Sequence, residues 1–212
     1  MYLSNFQRTK NLLSYFSCHP FQIFRYFSKS AFSHSPLALG LPWWSFSSID
    51  WMAKQVTKQT KVFEWGSGGS TVFLSSLCKS IKSVEHEIKW LENVKKELIR
   101  NNLINCSLVL EKINLEKPSG FENSDYLNAL DENFDLIIID GEDNFGPNMN
   151  WSAREICFSR AERFINPGGY ILVDDSWRYP KIKEISRAKD LKRHQGIGPC
   201  RKGITSTDIH FY

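Results

Sequence analysis

From Lys61 onward, short apolar runs alternate with longer stretches in which apolar residues recur every three to four positions. Such short runs read as strands, and the longer period reads as amphipathic helix. Lys61–Trp65, Ile81–Glu85, about Ser107–Glu111, Phe134–Asp140 and Tyr170–Asp174 are the predicted strands. The run from Phe134 to Asp140 is apolar on both faces, as expected of a central parallel strand. Predicted helices lie between the strands: Ser70–Cys78, a second with Leu91, Val94 and Leu98 on one face, and a third over about 150–165. The third turns Ala153, Ile156, Cys157, Ala161 and Phe164 inward and is expected to stop at Asn166-Pro167-Gly168-Gly169, a turn into strand five. Leu191–Gln195 and Ile204–Tyr212 offer two further strands, separated by Gly196-Ile197-Gly198-Pro199. Alternation of this kind implies a parallel sheet with helices on both faces.

Residues 1–40 follow a different pattern. This segment is rich in Phe, Tyr and Ser, with Leu12, Leu13, Phe16, Phe21, Phe24 and Phe27 at roughly helical spacings. It reads as an N-terminal arm ahead of a globular domain over 41–212. A helix through Ile49, Met52, Ala53 and Val56 is expected just after Pro42-Trp43-Trp44, where the Trp pair can pack in the core or face a cationic ligand.

Charge sharpens the division. The net charge is +4, yet no Asp or Glu precedes Asp50, while Arg8, Lys10, Arg25 and Lys29 do. The arm therefore supplies the whole excess. It can pack its aromatics over the domain or a second subunit, lie on an anionic membrane surface, or act as a transit peptide. The balanced remainder gives no nucleic-acid footprint, so no nucleic-acid partner is expected. Cys18, Cys78, Cys106, Cys157 and Cys200 never fall at C-x-x-C spacing, which reads as isolated thiols in a reducing compartment. No apolar run approaches the roughly 18–20 residues of a spanning helix. The expected location is cytoplasmic, with membrane association through the arm as an option.

Candidate chemistry gathers where strands end. Ligands of open parallel sheets sit at the carboxyl ends of the strands, and Glu64, Glu85, Asp140 and Asp174-Asp175 end four of the predicted strands. Glu64-Trp65-Gly66-Ser67-Gly68-Gly69-Ser70-Thr71 is a strand end, a glycine-rich turn and a Ser/Thr helix start, with Ser70 the expected cap. A plain structural turn is one reading of it. A carboxylate two residues before the first glycine would repel a pyrophosphate placed on that helix, but suits a ligand carrying an ammonium and a sulfonium. Glu85 follows Gly66 at the roughly 20-residue spacing that reaches ribose hydroxyls.

The run Glu64-Trp65-Gly66-Ser67-Gly68-Gly69 resembles motif I of the class I S-adenosylmethionine-dependent methyltransferases, in a branch with an E-x-G-S-G-x-S-T signature. Ser70 stands where a third glycine is common, and Thr71 stands where a dinucleotide motif wants its last glycine. The resemblance implies an α/β, Rossmann-like, doubly wound seven-stranded sheet, mostly parallel with an antiparallel last strand. It implies S-adenosyl-L-methionine as cofactor, held by Glu64, Gly66, Ser67, Gly68, Ser70, Thr71 and Glu85, with Glu64 toward the methionine end and Glu85 on the ribose. Asp140, Asp174 and Asp175 are then the candidate catalytic residues, and Asp140 can orient the acceptor, act as a base or bind a metal. Metal-dependent relatives carry Asp-Asn where this chain has Asp174-Asp175, and no metal ligand is assigned. The expected reaction is methyl transfer to a small-molecule or saccharide acceptor at oxygen. The competing readings are a nicotinamide-dependent oxidoreductase and a non-catalytic cofactor-binding module.

Overall fold

The computed structural model describes residues 5–30, 35–144, 150–201 and 203–212. Parts of the arm, 1–4 and 31–34, lie outside the described residues. Seven strands form one sheet: β1 (Lys61–Trp65), β2 (Ser80–Glu85), β3 (Cys106–Leu110), β4 (Phe134–Ile139), β5 (Ile165–Val173), β6 (Asp190–Gly196) and β7 (Thr205–Phe211). Their order is β3-β2-β1-β4-β5-β7-β6. The pairs β1–β2, β2–β3, β1–β4 and β4–β5 are parallel, and β7 runs antiparallel to both β5 and β6. Only antiparallel neighbours can be joined by a short connection, and the short link from β6 to β7 imposes that reversal. The order of the strands switches direction between β1 and β4, the place where this architecture opens a crevice.

The apolar run of β4 is explained by its two faces. Ile137 and Ile139 join Phe63, Trp65, Phe158, Ile171 and Val173 in one core. Leu136 and Ile138 join Val62, Leu74, Leu172 and Ile209 in the other. Successive side chains point to opposite faces, so residues 136–139, covered on both sides, are all apolar, and the polar Asp135 sits at the half-buried start of the strand.

Helices α3 (Phe46–Gln55), α4 (Gly69–Ser75), α5 (Ile88–Arg100) and α8 (Ala153–Ala161) fall close to expectation. Two boundaries do not. α8 ends at Ala161, short of Ile165, and β5 already begins at Ile165, which pairs with Phe134 while Tyr170 pairs with Leu136. Asn166-Pro167-Gly168-Gly169 is thus a bulge inside β5 rather than a turn ahead of it. Asn166 Nδ2 donates to Asp135 Oδ1 (2.8 Å) and Gly168 N–H to the Tyr212 carbonyl (2.9 Å), which anchors the extruded residues. Short helices α6 (Pro118–Glu122), α7 (Asp125–Asn128) and α9 (Pro180–Ile185) are not legible in the pattern; α6 and α7 carry Phe121, Tyr126 and Leu127 into the first core.

The arm forms α1 (Asn5–Cys18) and α2 (Phe21–Ser30). Leu12, Tyr15, Phe16 and Tyr26 pack against the second core. Arg25 makes two hydrogen bonds to Asp50 (2.5 and 2.7 Å) and lies 4.2 Å from the Phe46 ring centre, while the Tyr26 hydroxyl donates to the Arg201 carbonyl (2.7 Å). Phe6, Phe21, Phe24 and Phe27 point outward. All five cysteines are free thiols. Among the described residues, no helix is long and apolar enough to cross a membrane.

Candidate active site

The chain leaves β1 through Gly66, whose φ of +88° is a conformation that side chains rarely adopt. A Cβ there would lie 2.6 Å from Gly141 Cα and 2.7 Å from the Asp140 carbonyl oxygen. The loops after β1 and β4 therefore touch backbone to backbone. At Gly69 a Cβ would strike the Leu41 carbonyl, so the segment before α3 covers the start of α4. A Cβ on Gly68 would meet nothing nearer than Trp90 at 3.9 Å, which leaves open space beside the turn.

Beneath the turn lies Glu64, fully buried. Its Oε2 accepts from Thr71 Oγ1 (2.6 Å) and Ser83 Oγ (2.8 Å), and Thr71 Oγ1 in turn accepts from Gly68 N–H (2.8 Å). Burial pushes the carboxyl up to about 7, against the lowering effect of the Ser70, Thr71 and Ser83 hydroxyls. Its Oε1 has no hydrogen-bond partner. This relay corrects the expected cap: α4 begins at Gly69, Ser70 falls inside its first turn, and Thr71 supplies the oxygen that receives the free amide. A β1 side chain alternates with its neighbours, so Glu64 must face the sheet layer under α4 and reaches the turn from below.

Glu85, at the end of β2, is also buried. Oε2 accepts from Ser67 N–H (3.1 Å) and Ser67 Oγ (2.9 Å); Oε1 accepts from the amides of His86 (2.8 Å) and Glu87 (3.0 Å). Burial alone would raise this carboxyl, but the bonds from His86, Glu87 and Ser67 outweigh it and hold the group below its ordinary range. Trp90, on α5, donates from Nε1 to the Ser67 carbonyl (2.7 Å) and fixes the other edge of the turn.

Beyond β4 and β5 the three aspartates meet three arginines, Arg154, Arg178 and Arg201. Asp140 Oδ2 accepts from the Trp44 indole (3.1 Å), and Oδ1 lies 3.3 Å from Arg154 Nη2, with the carboxylate side chain 20% exposed. Arg154 is buried and also donates to the carbonyls of Gly141 and Asp174 (2.9 Å each). Asp174 Oδ1 accepts from Thr207 (2.8 Å) and Oδ2 from Arg201 Nη1 (3.2 Å). Asp175 has φ +52°, and its Oδ1 accepts from Arg201 Nη2 (2.6 Å) and Thr205 (2.7 Å). Burial raises Asp140 and Asp174, and the two acids sit close enough that the charge of one adds to the rise of the other. Burial acts the same way on Asp175, but Arg201 and Thr205 prevail and lower it.

The structure brings the expected residues to one end of the sheet in two groups: Glu64, Gly66, Ser67, Gly68, Ser70, Thr71 and Glu85 around the turn, and Asp140, Asp174 and Asp175 in the arginine cluster. Trp44 takes the core reading offered for it, fully buried, and its N–H donates to Asp140. Arg201, Thr205, Thr207 and Trp90 escaped sequence reasoning. A lone arginine in a glycine-rich loop carries no signal until β7 is folded beside β5.

No protein-family model and no curated protein matches the chain. Solved structures do. The O-methyltransferase from Bacillus cereus, in complex with SAH, is 17% identical, with a TM-score of 0.57 and 76% of each chain covered. An rRNA methylase from Streptococcus thermophilus is 16% identical, with a TM-score of 0.55 over 78% of this chain and 94% of that one. The O-methyltransferase TomG from Streptomyces achromogenes, in complex with SAM, is 15% identical, with a TM-score of 0.54 over 76% and 75%. The chain has the Rossmann-like methyltransferase fold. Within that fold, the residues present suit an adenosyl ligand: the space beside Gly68 is open, and buried Glu64 Oε1 lacks a partner. They do not suit a divalent cation at Asp174-Asp175, since Arg201 and two threonines already take the oxygens it would need.

Proposed function

We propose that this chain is an S-adenosyl-L-methionine-dependent methyltransferase acting on oxygen of a small-molecule or saccharide acceptor. The observation that carries the reading is the carboxylate line at the switch point of this fold: Glu85 ends β2, Asp140 follows β4, and Glu64 lies one residue before the end of β1 between them, around an open glycine turn. Glu85, held ionised by its hydrogen bonds, is the acceptor we assign to the ribose hydroxyls, which would take the place of the Ser67 hydroxyl on Oε2. Glu64 supports the turn from below through Thr71 and Ser83, and its Oε1 is buried without a partner. S-adenosylmethionine supplies an activated methyl: the S–CH3 bond breaks, an O–CH3 bond forms on the acceptor and S-adenosylhomocysteine leaves. The hydroxyl proton passes to Asp140, whose raised affinity for protons makes it a stronger base than an ordinary aspartate. Arg154 and Trp44 hold that carboxylate in place.

The arm adds a location. Phe21, Phe24 and Phe27 form one exposed face of α2, beside Lys29, and suit peripheral contact with an anionic lipid surface from the cytoplasmic side.

Calorimetry with S-adenosylhomocysteine and with NAD, followed by methyl transfer to saccharide, metabolite and RNA pools, tests the assignment. Binding of the first ligand alone is expected, with transfer to a non-RNA pool. Asp140→Asn is expected to lower transfer by about 100-fold or more while S-adenosylhomocysteine affinity holds. NAD binding in its place, or an undiminished Asp140→Asn rate, overturns the respective assignment.

A further inference from the structure

A cavity of about 290 Å³ adjoins the aspartate cluster and shares Asp175 and Arg201 with it. Its volume lies near the lower end of the roughly 300–1,000 Å³ of small-molecule sites, room for about one sugar-sized unit. Three guanidinium groups line it, from Arg8, Arg178 and Arg201, against the one carboxylate of Asp175. Arg201 is spent on Asp174 and Asp175, and Arg178 Nη2 lies 3.6 Å from Asp175 Oδ2. Arg8 makes no ion pair among the described residues. Among the described residues, the positive charge of Arg8 on this wall thus has no offsetting carboxylate, which favours an anion.

The remaining lining chemistry is of one kind. Asn11 and Gln195 offer amide groups, which both donate and accept, while the Thr205 hydroxyl is bonded to Asp175 and that of Ser206 to Ser176 and the Trp177 amide. Trp177, 44% exposed, adds an apolar face, with the Arg178 guanidinium 4.9 Å from its ring centre. Polar groups around an aromatic face suit a polyol ring.

Arg8 and Asn11 come from α1, ahead of the segment 41–212 that carries the sheet. The arm is held where they can act: Tyr26 on α2 donates to the backbone of Arg201 itself, and Arg25 pairs with Asp50.

We propose that this cavity is the acceptor subsite, that it takes an anionic, hydroxyl-bearing small molecule such as a sugar phosphate or a sugar acid, and that Arg8 reads the anion. The proposal rests on the methyltransferase reading above. The acceptor's negative group sits at Arg8, its hydroxyls face Asn11 and Gln195, and the arm is a working wall of the enzyme.

The test is a ligand-observed NMR titration of the full chain, saturated with S-adenosylhomocysteine, using glucose 6-phosphate, glucuronate and glucose as probes. At least one anionic probe is expected to bind about ten-fold or more tightly than glucose, as a charge-assisted hydrogen bond allows; which one does so separates phosphate from carboxylate. Arg8→Ala and the longer Arg8→Gln are expected to abolish that preference while S-adenosylhomocysteine affinity and the melting temperature hold. Equal binding of all three probes, with S-adenosylhomocysteine still bound, overturns this inference alone. A folded chain that does not bind S-adenosylhomocysteine overturns the methyltransferase reading and the subsite with it. A preference that persists in both variants removes the arm from the site.

Discussion

Replacing Glu64 with glutamine should change the pH dependence of stability more than stability itself. The carboxyl is fully buried, with two hydroxyl donors on one oxygen and none on the other. Burial raises it from the ordinary 4.5 to about 7, so the folded protein holds the proton through a range where the unfolded chain has released it. Stability must then fall as pH rises from about 4.5 toward 7, since the folded state binds more protons there. At about 1.4 kcal/mol per pH unit, a rise from 4.5 to about 7 corresponds to roughly 3 kcal/mol. The amide side chain of Glu64→Gln keeps one oxygen for Thr71 and Ser83 and places an unpaired NH2 on the other side, a cost of about 1–3 kcal/mol that does not vary with pH. Urea unfolding of both proteins from about pH 5 to about pH 8 measures the difference. The variant should gain about 2–3 kcal/mol relative to the parent across that range. Asp140 and Asp174, also raised by burial, give both proteins the same background slope. Parallel curves for parent and variant would mean that Glu64 ionises alike in both states, and the buried-acid account of the turn would be wrong.

Two further sets of substitutions probe the site. Glu85→Ala should weaken S-adenosylhomocysteine binding by about 1.5–3 kcal/mol, the loss of hydrogen bonds to a charged acceptor; unchanged calorimetric affinity in a folded variant removes Glu85 from the ribose. Gly66→Ala should cost more than about 2 kcal/mol of stability, because a positive φ and a backbone clash add, whereas Gly168→Ala, at φ +81° with nothing within 4 Å, should cost about 1 kcal/mol. Equal losses in urea unfolding would show that the close contact with Gly141 carries no energy.

Local pattern is enough to place β4, because residues 136–139, buried on both faces, must all be apolar, and enough to place the glycine turn, because only a chain without side chains can pass against Gly141. It also places Glu64, Glu85, Asp140 and Asp174 at strand ends, since an acid that closes an apolar run has nowhere else to go. The break in β5 is misleading in the sequence because Asn-Pro-Gly-Gly ends most runs; here the ladder to Phe134 forms ahead of it, and pairing partners are not visible along the chain. The surroundings of each acid are decided by the tertiary structure. Glu64 lies under the turn because its register on β1 points it at Thr71 and Ser83, and the aspartates share arginines because β5 lies between β4 and β7. Arg8 and Arg201, distant from each other in sequence, come to one cavity only when the arm packs beside the β6–β7 connection. Sequence determines which residues want burial or charge; the fold decides which charges meet, because electrostatic partners are chosen by distance in space.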